Sequence, residues 1–161
     1  MDIVERAINL FFLGKVRQAE NILEDIFNSR KNDPRIWFLK ALIEKSKGNL
    51  LPALNSIEKA LELKRDYVEA WTLKASIARE ANNFGEALRA IDEALTIIYK
   101  QDDYEDYELL IEKAKILYLM GNIRAAQRIL IKVLEINPED MDLQDLLEKI
   151  RTAKKSLNKE K

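Results

Sequence analysis

The sequence contains no cysteine and no histidine, and it has only four glycines and three prolines among 161 residues. These absences exclude a zinc-finger ligand set, a thiolate nucleophile, a Ser-His-Asp triad and a disulfide framework. Acid–base chemistry is left to Asp, Glu, Lys and Tyr. We therefore predict that the protein is not an enzyme, and that it holds no cofactor and no metal ion.

The charges of the chain nearly cancel, with 27 Lys and Arg against 28 Asp and Glu. A protein that mainly neutralises nucleic-acid phosphates has a strongly basic field, so a nucleic-acid partner is disfavoured. The apolar run at residues 10–13 is too short to span a bilayer, and the N-terminus lacks the basic n-region of a signal peptide. We expect a cytoplasmic protein with no membrane partner. The frequent Glu, Lys and Ile residues are also typical of thermophiles.

A period of 34 residues runs through the sequence. Gly14, Gly48 and Asn82 are spaced 34 residues apart, and Gly121 follows 39 residues later. The same intervals relate a series of alanines: Ala19, Ala53, Ala87 and Ala126. A five-residue insertion at 102–106 accounts for the longer interval. Self-similarity at this spacing indicates a repeat protein.

Each repeat is predicted to be a helical hairpin, because its apolar residues have helical spacing on both sides of the Gly or Asn. Small residues recur where the two helices would cross: Ala7, Ala41, Ala75 and Ala114. One hairpin cannot bury its apolar face alone, so the hairpins must stack. We predict a single domain, 1–161, made of the following parts: repeat units 1–33, 34–67, 68–101 and 107–140, and a capping helix at 141–157.

These residues resemble the tetratricopeptide repeat, whose pattern has Trp, Leu, Gly, Tyr, Ala, Phe, Ala and Pro at set positions of a 34-residue unit. Trp37 and Trp71 fill the Trp position, and Pro138 fills the final Pro position. A base replaces the pattern's Leu at Arg6, Lys40, Lys74 and Lys113, and we expect its stem to cover apolar surface while its charge reaches water. The resemblance implies an all-α, right-handed superhelical solenoid.

The resemblance also implies a function. In most proteins of this family the first helix of each hairpin lines a concave groove that binds a peptide or a helix of another protein. By analogy, we expect apolar side chains to lead binding: Val4, Ile8, Phe11, Phe12, Phe38 and Leu42. Polar side chains would set the partner's orientation: Arg35, Lys45, Arg79, Lys115 and Tyr118. An alternative is that the aromatic residues fold inward and close the narrow end of the superhelix.

A chaperone-type carboxylate clamp is not expected. Family members of that type hold a terminal carboxylate with Lys, Asn and Arg side chains. The matching positions here are Val4, Ile8, Leu39, Glu69 and Leu73. They offer no cationic or amide donor and include one acid that would repel the ligand.

Three other functions stay open. The apolar first repeat could form a homodimer interface. The basic segment after residue 148 could bind RNA, through Lys149, Arg151, Lys154, Lys155, Lys159 and Lys161. Glu44, which stands where the family usually has Tyr, could be a buried acid of an enzyme.

An acidic segment surrounds the insertion and contains Asp102, Asp103, Glu105, Asp106 and Glu108, interleaved with Tyr104 and Tyr107. Its carboxylates could attract Ca²⁺ or Mg²⁺, but their spacing matches no known cation-binding loop. We favour a solvated linker whose Asp residues cap the following helix.

Overall fold

A computed structural model describes residues 2–102 and 105–159, with the side chains of residue 102 and residues 154–159 excepted. The prediction of an all-α chain is confirmed, since these residues form helices and no strand. The helices are α1 (Ile3–Phe12), α2 (Val16–Ile26), α3 (Pro34–Ser46), α4 (Leu50–Leu63), α5 (Val68–Glu80), α6 (Phe84–Asp102), α7 (Tyr107–Leu119), α8 (Ile123–Leu134) and α9 (Met141–Lys159).

The chain forms two compact units, Met1–Ile97 and Ile98–Lys161. In the first unit, α1 packs against α2 and α3 packs against α4, as the hairpin prediction requires. In the second unit, α7 packs against α8, and α8 packs against α9. The boundary between the units lies within α6. That residues 1–161 form one domain stays a prediction.

The turns that set the 34-residue period share one backbone geometry. Gly14, Gly48 and Gly121 have φ of 77°, 78° and 77°, and Asn82 has φ of 57°. In each turn this residue's N–H donates to the carbonyl three residues back, and the next N–H donates to the carbonyl five back. This pair of hydrogen bonds is the Schellman motif, in which one residue adopts a left-handed backbone conformation. A Cβ on these glycines would meet nothing within 4 Å, so the backbone angle alone requires glycine.

The predicted small-residue positions lie in the core. Every alanine of the two repeated series has a relative exposure of 4% or less: Ala7, Ala41, Ala75, Ala114, Ala19, Ala53, Ala87 and Ala126. A methyl side chain lets two helix axes approach closely, which explains why the series recurs at the period of the hairpins.

Neighbouring hairpins in the first unit are joined by an aromatic contact. The Phe27 ring, at the end of α2, packs edge-on against the Trp37 ring of α3, with centroids 5.0 Å apart. Lys40 Nζ lies 4.7 Å from the centroid of Phe27, and Lys47 forms an ion pair with Glu20 of α2. The first helix of one hairpin therefore packs on the second helix of the hairpin before it.

One side-chain hydrogen bond recurs at the start of three first helices. In each case the donor bonds to the carbonyl oxygen six residues earlier: Trp37 Nε1 to Lys31 and Trp71 Nε1 to Arg65, both at 2.8 Å, and Gln144 Nε2 to Pro138 at 2.5 Å. Gln144 of α9 therefore occupies the repeat position that Trp37 and Trp71 occupy in α3 and α5.

Lys74 is one of the bases that replace the pattern's Leu, and it is mostly enclosed. Its side chain is only 12% exposed, and its Nζ lies 2.9 Å from Glu86 Oε1 and 3.6 Å from Glu58 Oε1. Acids on α4 and α6 therefore pair with this charge, and Lys74 also lines a cleft beside Trp71.

Helix α9 has the pattern expected of a capping helix. Leu143, Leu147 and Ile150 are buried on one side, whereas Glu148 is exposed at the position where the first helices of the hairpins have alanine. Asp140 starts the helix by accepting the Leu143 N–H at 3.0 Å. The helix continues to Lys159, two residues beyond the predicted end.

Candidate functional site

Three of the apolar residues predicted to contact a partner lie inside the protein. Val4 has no exposed surface, and Phe38 and Leu42 are 6% and 7% exposed. Val4 packs in the core between α1, α2 and α3, while Phe38 and Leu42 belong to the core around α3, α4 and α5. These three side chains therefore belong to the core and not to the exposed surface of the first helices.

The remaining three apolar residues form what we call the aromatic patch: Ile8, Phe11 and Phe12. Ile8 and Phe11 are half-buried and pack against both cores of the first unit. Phe12 is 66% exposed, and its ring meets that of Phe11 edge-on with centroids 5.6 Å apart. Phe11 thus turns inward, as the alternative interpretation expects, while Phe12 stays at the surface.

Arg35 is held by two carboxylates of its own unit. Its Nη2 lies 2.5 Å from Asp2 Oδ2 and 2.6 Å from Asp33 Oδ2. Asp2 and Asp33 also cap α1 and α3 through the N–H groups of Val4 and Arg35. The hydrogen bonds from Arg35 lower the pKa of both aspartates and, in return, raise the pKa of Arg35. Arg35 therefore links the starts of two first helices.

Lys45 makes a similar link between α3 and α5. Its Nζ lies 2.5 Å from Glu80 Oε1, and the two side chains are partly exposed. An acidic group of a partner would have to compete with Glu80 for this lysine, as it would with Asp2 and Asp33 for Arg35. Arg79, the other predicted base of this unit, is half-buried and also has an interaction within the protein.

Tyr67 is a core residue of this region that the sequence prediction missed. It is 8% exposed, and its ring centroid lies 5.2 Å from that of Phe38. Burial, reinforced by the negative charge of Glu69, raises the pKa of the phenol. Tyr67 directly precedes α5 and is equivalent to Asp33, which caps α3. The sequence therefore indicates a capping position and not a core residue.

The predicted residues of the second unit lie on α7. Lys115 is exposed, with Nζ 3.1 Å from Glu112 Oε1, and Tyr118 is half-buried. At the start of this helix Asp106 accepts the N–H of Leu109 at 3.0 Å. This bond is the cap that the sequence predicted for the acidic segment.

The other described carboxylates of the acidic segment show no cation-binding arrangement. Glu105 Oε1 lies 2.6 Å from Lys132 Nζ and raises the lysine's pKa through the hydrogen bond. Asp103 and Tyr104, and the side chain of Asp102, lie outside the described residues. In the part of the chain that is described, no group of three acidic, His or Cys side chains could hold a metal ion.

Two further candidates are also placed by the structure. Glu44 is half-buried, and its Oε2 accepts a hydrogen bond from Asn49 Nδ2 at 2.8 Å. In the basic segment, Lys149 and Arg151 are exposed, and Arg151 lies 3.8 Å from Glu148. The side chains of Lys154, Lys155, Lys159 and Lys161 lie outside the described ones. None of the described helices is both long and apolar enough to cross a membrane.

Comparison with known families gives two matches, both to profiles of the tetratricopeptide repeat. One covers residues 46–105 and the other covers residues 78–150. No curated protein matches the chain significantly.

Solved structures of the same architecture align with most of the chain. A chain of the APC/C hetero-tetramer Cut9–Hcn1 is 17% identical with a TM-score of 0.80, over 92% of this chain and 29% of that one. PilF of Pseudomonas aeruginosa is 14% identical with a TM-score of 0.78, over 96% of this chain and 68% of that one. YrrB, described as having an unusual peptide-binding site, is 19% identical with a TM-score of 0.67, over 85% and 68% of the two chains. At these identities the likeness shows the fold alone.

Proposed function

Because the chain belongs to the tetratricopeptide repeat family, we propose that it is a non-catalytic scaffold that binds a peptide or helix of another protein on its aromatic patch. Proteins of this family are generally interaction scaffolds of this kind. The observation that carries the proposal is Phe12, a large aromatic side chain that is 66% exposed on the first helix of a hairpin. Phe11 and Ile8 extend its apolar surface towards the core.

In this proposal, burial of apolar surface at the patch leads binding. Removing about 300 Å² of apolar surface from water gives roughly 7 kcal/mol of gross association energy, before the cost of lost motion is subtracted. Ile8 and Phe11 of the patch pack against the core that contains buried Phe38 and Leu42. A rigid support reduces the ordering cost of binding.

Charged side chains have a smaller role in partner binding here than the sequence alone indicated. Arg35 and Lys45 already pair with Asp2, Asp33 and Glu80. We propose that these pairs mainly fix the spacing of the first helices, and that Arg79, Lys115 and Tyr118 contribute to the choice of partner. A concave groove lined by the first helices of the first unit, as the family would imply, is part of the proposal.

A photo-crosslinking amino acid at position 12 tests the assignment in the intact protein. We expect it to crosslink a partner protein in an extract of the source cells, and we expect the purified partner segment to bind the wild-type chain. Phe12→Asp should abolish that binding while leaving the helical circular dichroism spectrum unchanged.

Leu51 provides the matched control, because it is 69% exposed on α4 of the same unit and lies outside the patch. A crosslinker at position 51 and the variant Leu51→Asp should leave capture and binding unaltered. Equal loss of binding in both aspartate variants would contradict the site. Crosslinking of position 12 to a second copy of the chain would instead favour the homodimer, and crosslinking to RNA would favour the RNA-binding alternative.

A further inference from the structure

A second surface of α1 lies apart from the aromatic patch. Ile3, Arg6, Leu10 and Leu13, which we call the α1 end face, fall within one narrow stripe because they are three, seven and ten residues apart along the helix and its C-cap. Ile3 is 40% exposed, Leu13 is 71% exposed, and Arg6 is exposed. Leu10 is half-buried and packs against the core that contains Val4 and Ala7, so this face borders that core.

On α3 the equivalent face is covered by a helix. The residues 34 positions later are Trp37, Lys40, Glu44 and Lys47. Trp37, Lys40 and Lys47 contact the preceding hairpin, while Glu44 accepts a hydrogen bond from Asn49 of its own hairpin. Phe27 lies against Trp37 and beneath the Lys40 charge, while Glu20 of α2 pairs with Lys47. An amphipathic helix with an aromatic residue and a glutamate therefore fits this face.

On α5 the same face is covered again. Its residues Trp71 and Lys74 border a cleft of about 460 Å³ against α4, which contributes Leu61 and Glu58 to the lining. Glu58 Oε1 lies 3.6 Å from Lys74 Nζ. In both hairpin contacts the second helix brings a large apolar side chain and a carboxylate to a first helix that offers an apolar side chain and a base.

The α1 end face has similar chemistry, and no second helix among the described residues packs on it as α2 packs on α3. Arg6 stands at the position of Lys40 and Lys74, and among the described residues it has no ion-pair partner. Ile3 stands at the position of the two tryptophans. The face contains no carboxylate, so pairing it with itself in a second copy would bring two Arg6 charges together without an acid to offset them.

We propose that the α1 end face docks an amphipathic α-helix of another protein, oriented on α1 as α4 is oriented on α5. The docked helix would place leucine or aromatic side chains on Ile3, Leu10 and Leu13, and a glutamate on Arg6. This surface is separate from the aromatic patch, so one chain could hold two partners at once.

The chain itself supplies the probe for a test. A fluorescently labelled peptide with the sequence of residues 49–65, acetylated and amidated, contains the whole of α4. Titrating it with the full-length protein, followed by fluorescence anisotropy, should give saturable binding. Leu13→Asp should weaken binding at least tenfold, while Leu51→Asp in the protein serves as the control and should leave the affinity unchanged. Circular dichroism melting verifies that each variant is folded.

A charge exchange separates this docking from unspecific adhesion. The peptide with Glu58→Lys should bind wild-type protein roughly fivefold to tenfold more weakly, and Arg6→Glu in the protein should restore its affinity. The proposal is overturned if the peptide does not bind, if Leu13→Asp has no effect, or if the exchange restores nothing. It is also overturned if sedimentation shows a dimer that Leu13→Asp dissociates, because a second copy then covers the face.

Discussion

Lys74 and Glu86 form an ion pair between α5 and α6, with Nζ 2.9 Å from Oε1 and the lysine side chain only 12% exposed. The hydrogen bond from Lys74, and then that from Arg89, hold the pKa of Glu86 below its ordinary value of 4.5. The folded chain therefore keeps this carboxylate ionised at a pH at which the unfolded chain has already bound a proton. Its stabilising contribution is complete above pH 4.5 and is lost as the pH falls through the lower, folded pKa.

The first prediction follows from this linkage. Glu86→Gln should lower the free energy of unfolding at neutral pH and should make it fall less steeply with acidification below pH 4.5. Urea unfolding at a series of pH values measures both effects. Glu93→Gln, at an exposed position of the same helix, is the control. An identical pH profile for the Glu86 variant and wild type would contradict the linkage.

The second prediction concerns the turns. Gly48→Ala should destabilise the chain by about 1–2 kcal/mol, because alanine is strained at a φ of 78°. Gly85→Ala should be neutral or stabilise by up to about 1 kcal/mol, since Gly85 lies within α6 and alanine favours helix. Chemical unfolding of the two variants compares them directly. Equal effects would show that the turn does not depend on its left-handed residue.

The third prediction compares the stability effects of a buried and an exposed aromatic residue. Phe38→Ala should cost about 3–5 kcal/mol, because the ring is 6% exposed and its loss leaves a cavity beside Tyr67. Phe12→Ala should change stability by less than about 0.5 kcal/mol, since its ring is 66% exposed. Guanidinium unfolding checks both values. A large destabilisation by Phe12→Ala would mean that this ring serves the core and not a partner.

The fourth prediction concerns the salt dependence of binding to the aromatic patch. Affinity for the partner segment should change less than about threefold between low and high salt, because apolar burial is little screened. Binding to nucleic acid would weaken by orders of magnitude over the same range. Isothermal titration calorimetry at two salt concentrations distinguishes the two. A steep loss of affinity at high salt would indicate that basic side chains, and not the aromatic patch, make the main contacts with the partner.

The repeat architecture was predictable because the features that carry it are local. A left-handed residue at Gly14 or Gly48 and a buried alanine at Ala19 or Ala53 are needed once per hairpin, whatever the neighbouring hairpin contains. The turn residue and the buried alanine therefore recur in the sequence at the spacing of the hairpins. The Asp106 cap was predictable for the same reason, because a cap depends only on the residues that follow it.

The site was less predictable because it depends on contacts between hairpins. Helical spacing places Phe38 and Leu42 on the first helix, but it does not reveal that Phe11 packs against their core or that Tyr67 lies against Phe38. The pairing of Lys45 with Glu80 joins residues 35 positions apart, and neither residue is unusual in its own helix. Such long-range choices depend on the relative rotation of neighbouring helices, which no period in the sequence encodes.

The equal construction of the turns at Gly14 and Gly48 has a practical consequence. Both lie in open space, and the natural chain has no cysteine, so a thiol introduced beside either glycine would be a unique attachment point for a dye. A pair of dyes would then sit at corresponding places on successive hairpins. Changes in their separation during unfolding would reveal whether the hairpins come apart one at a time or together, a question that matters for every protein built by stacking.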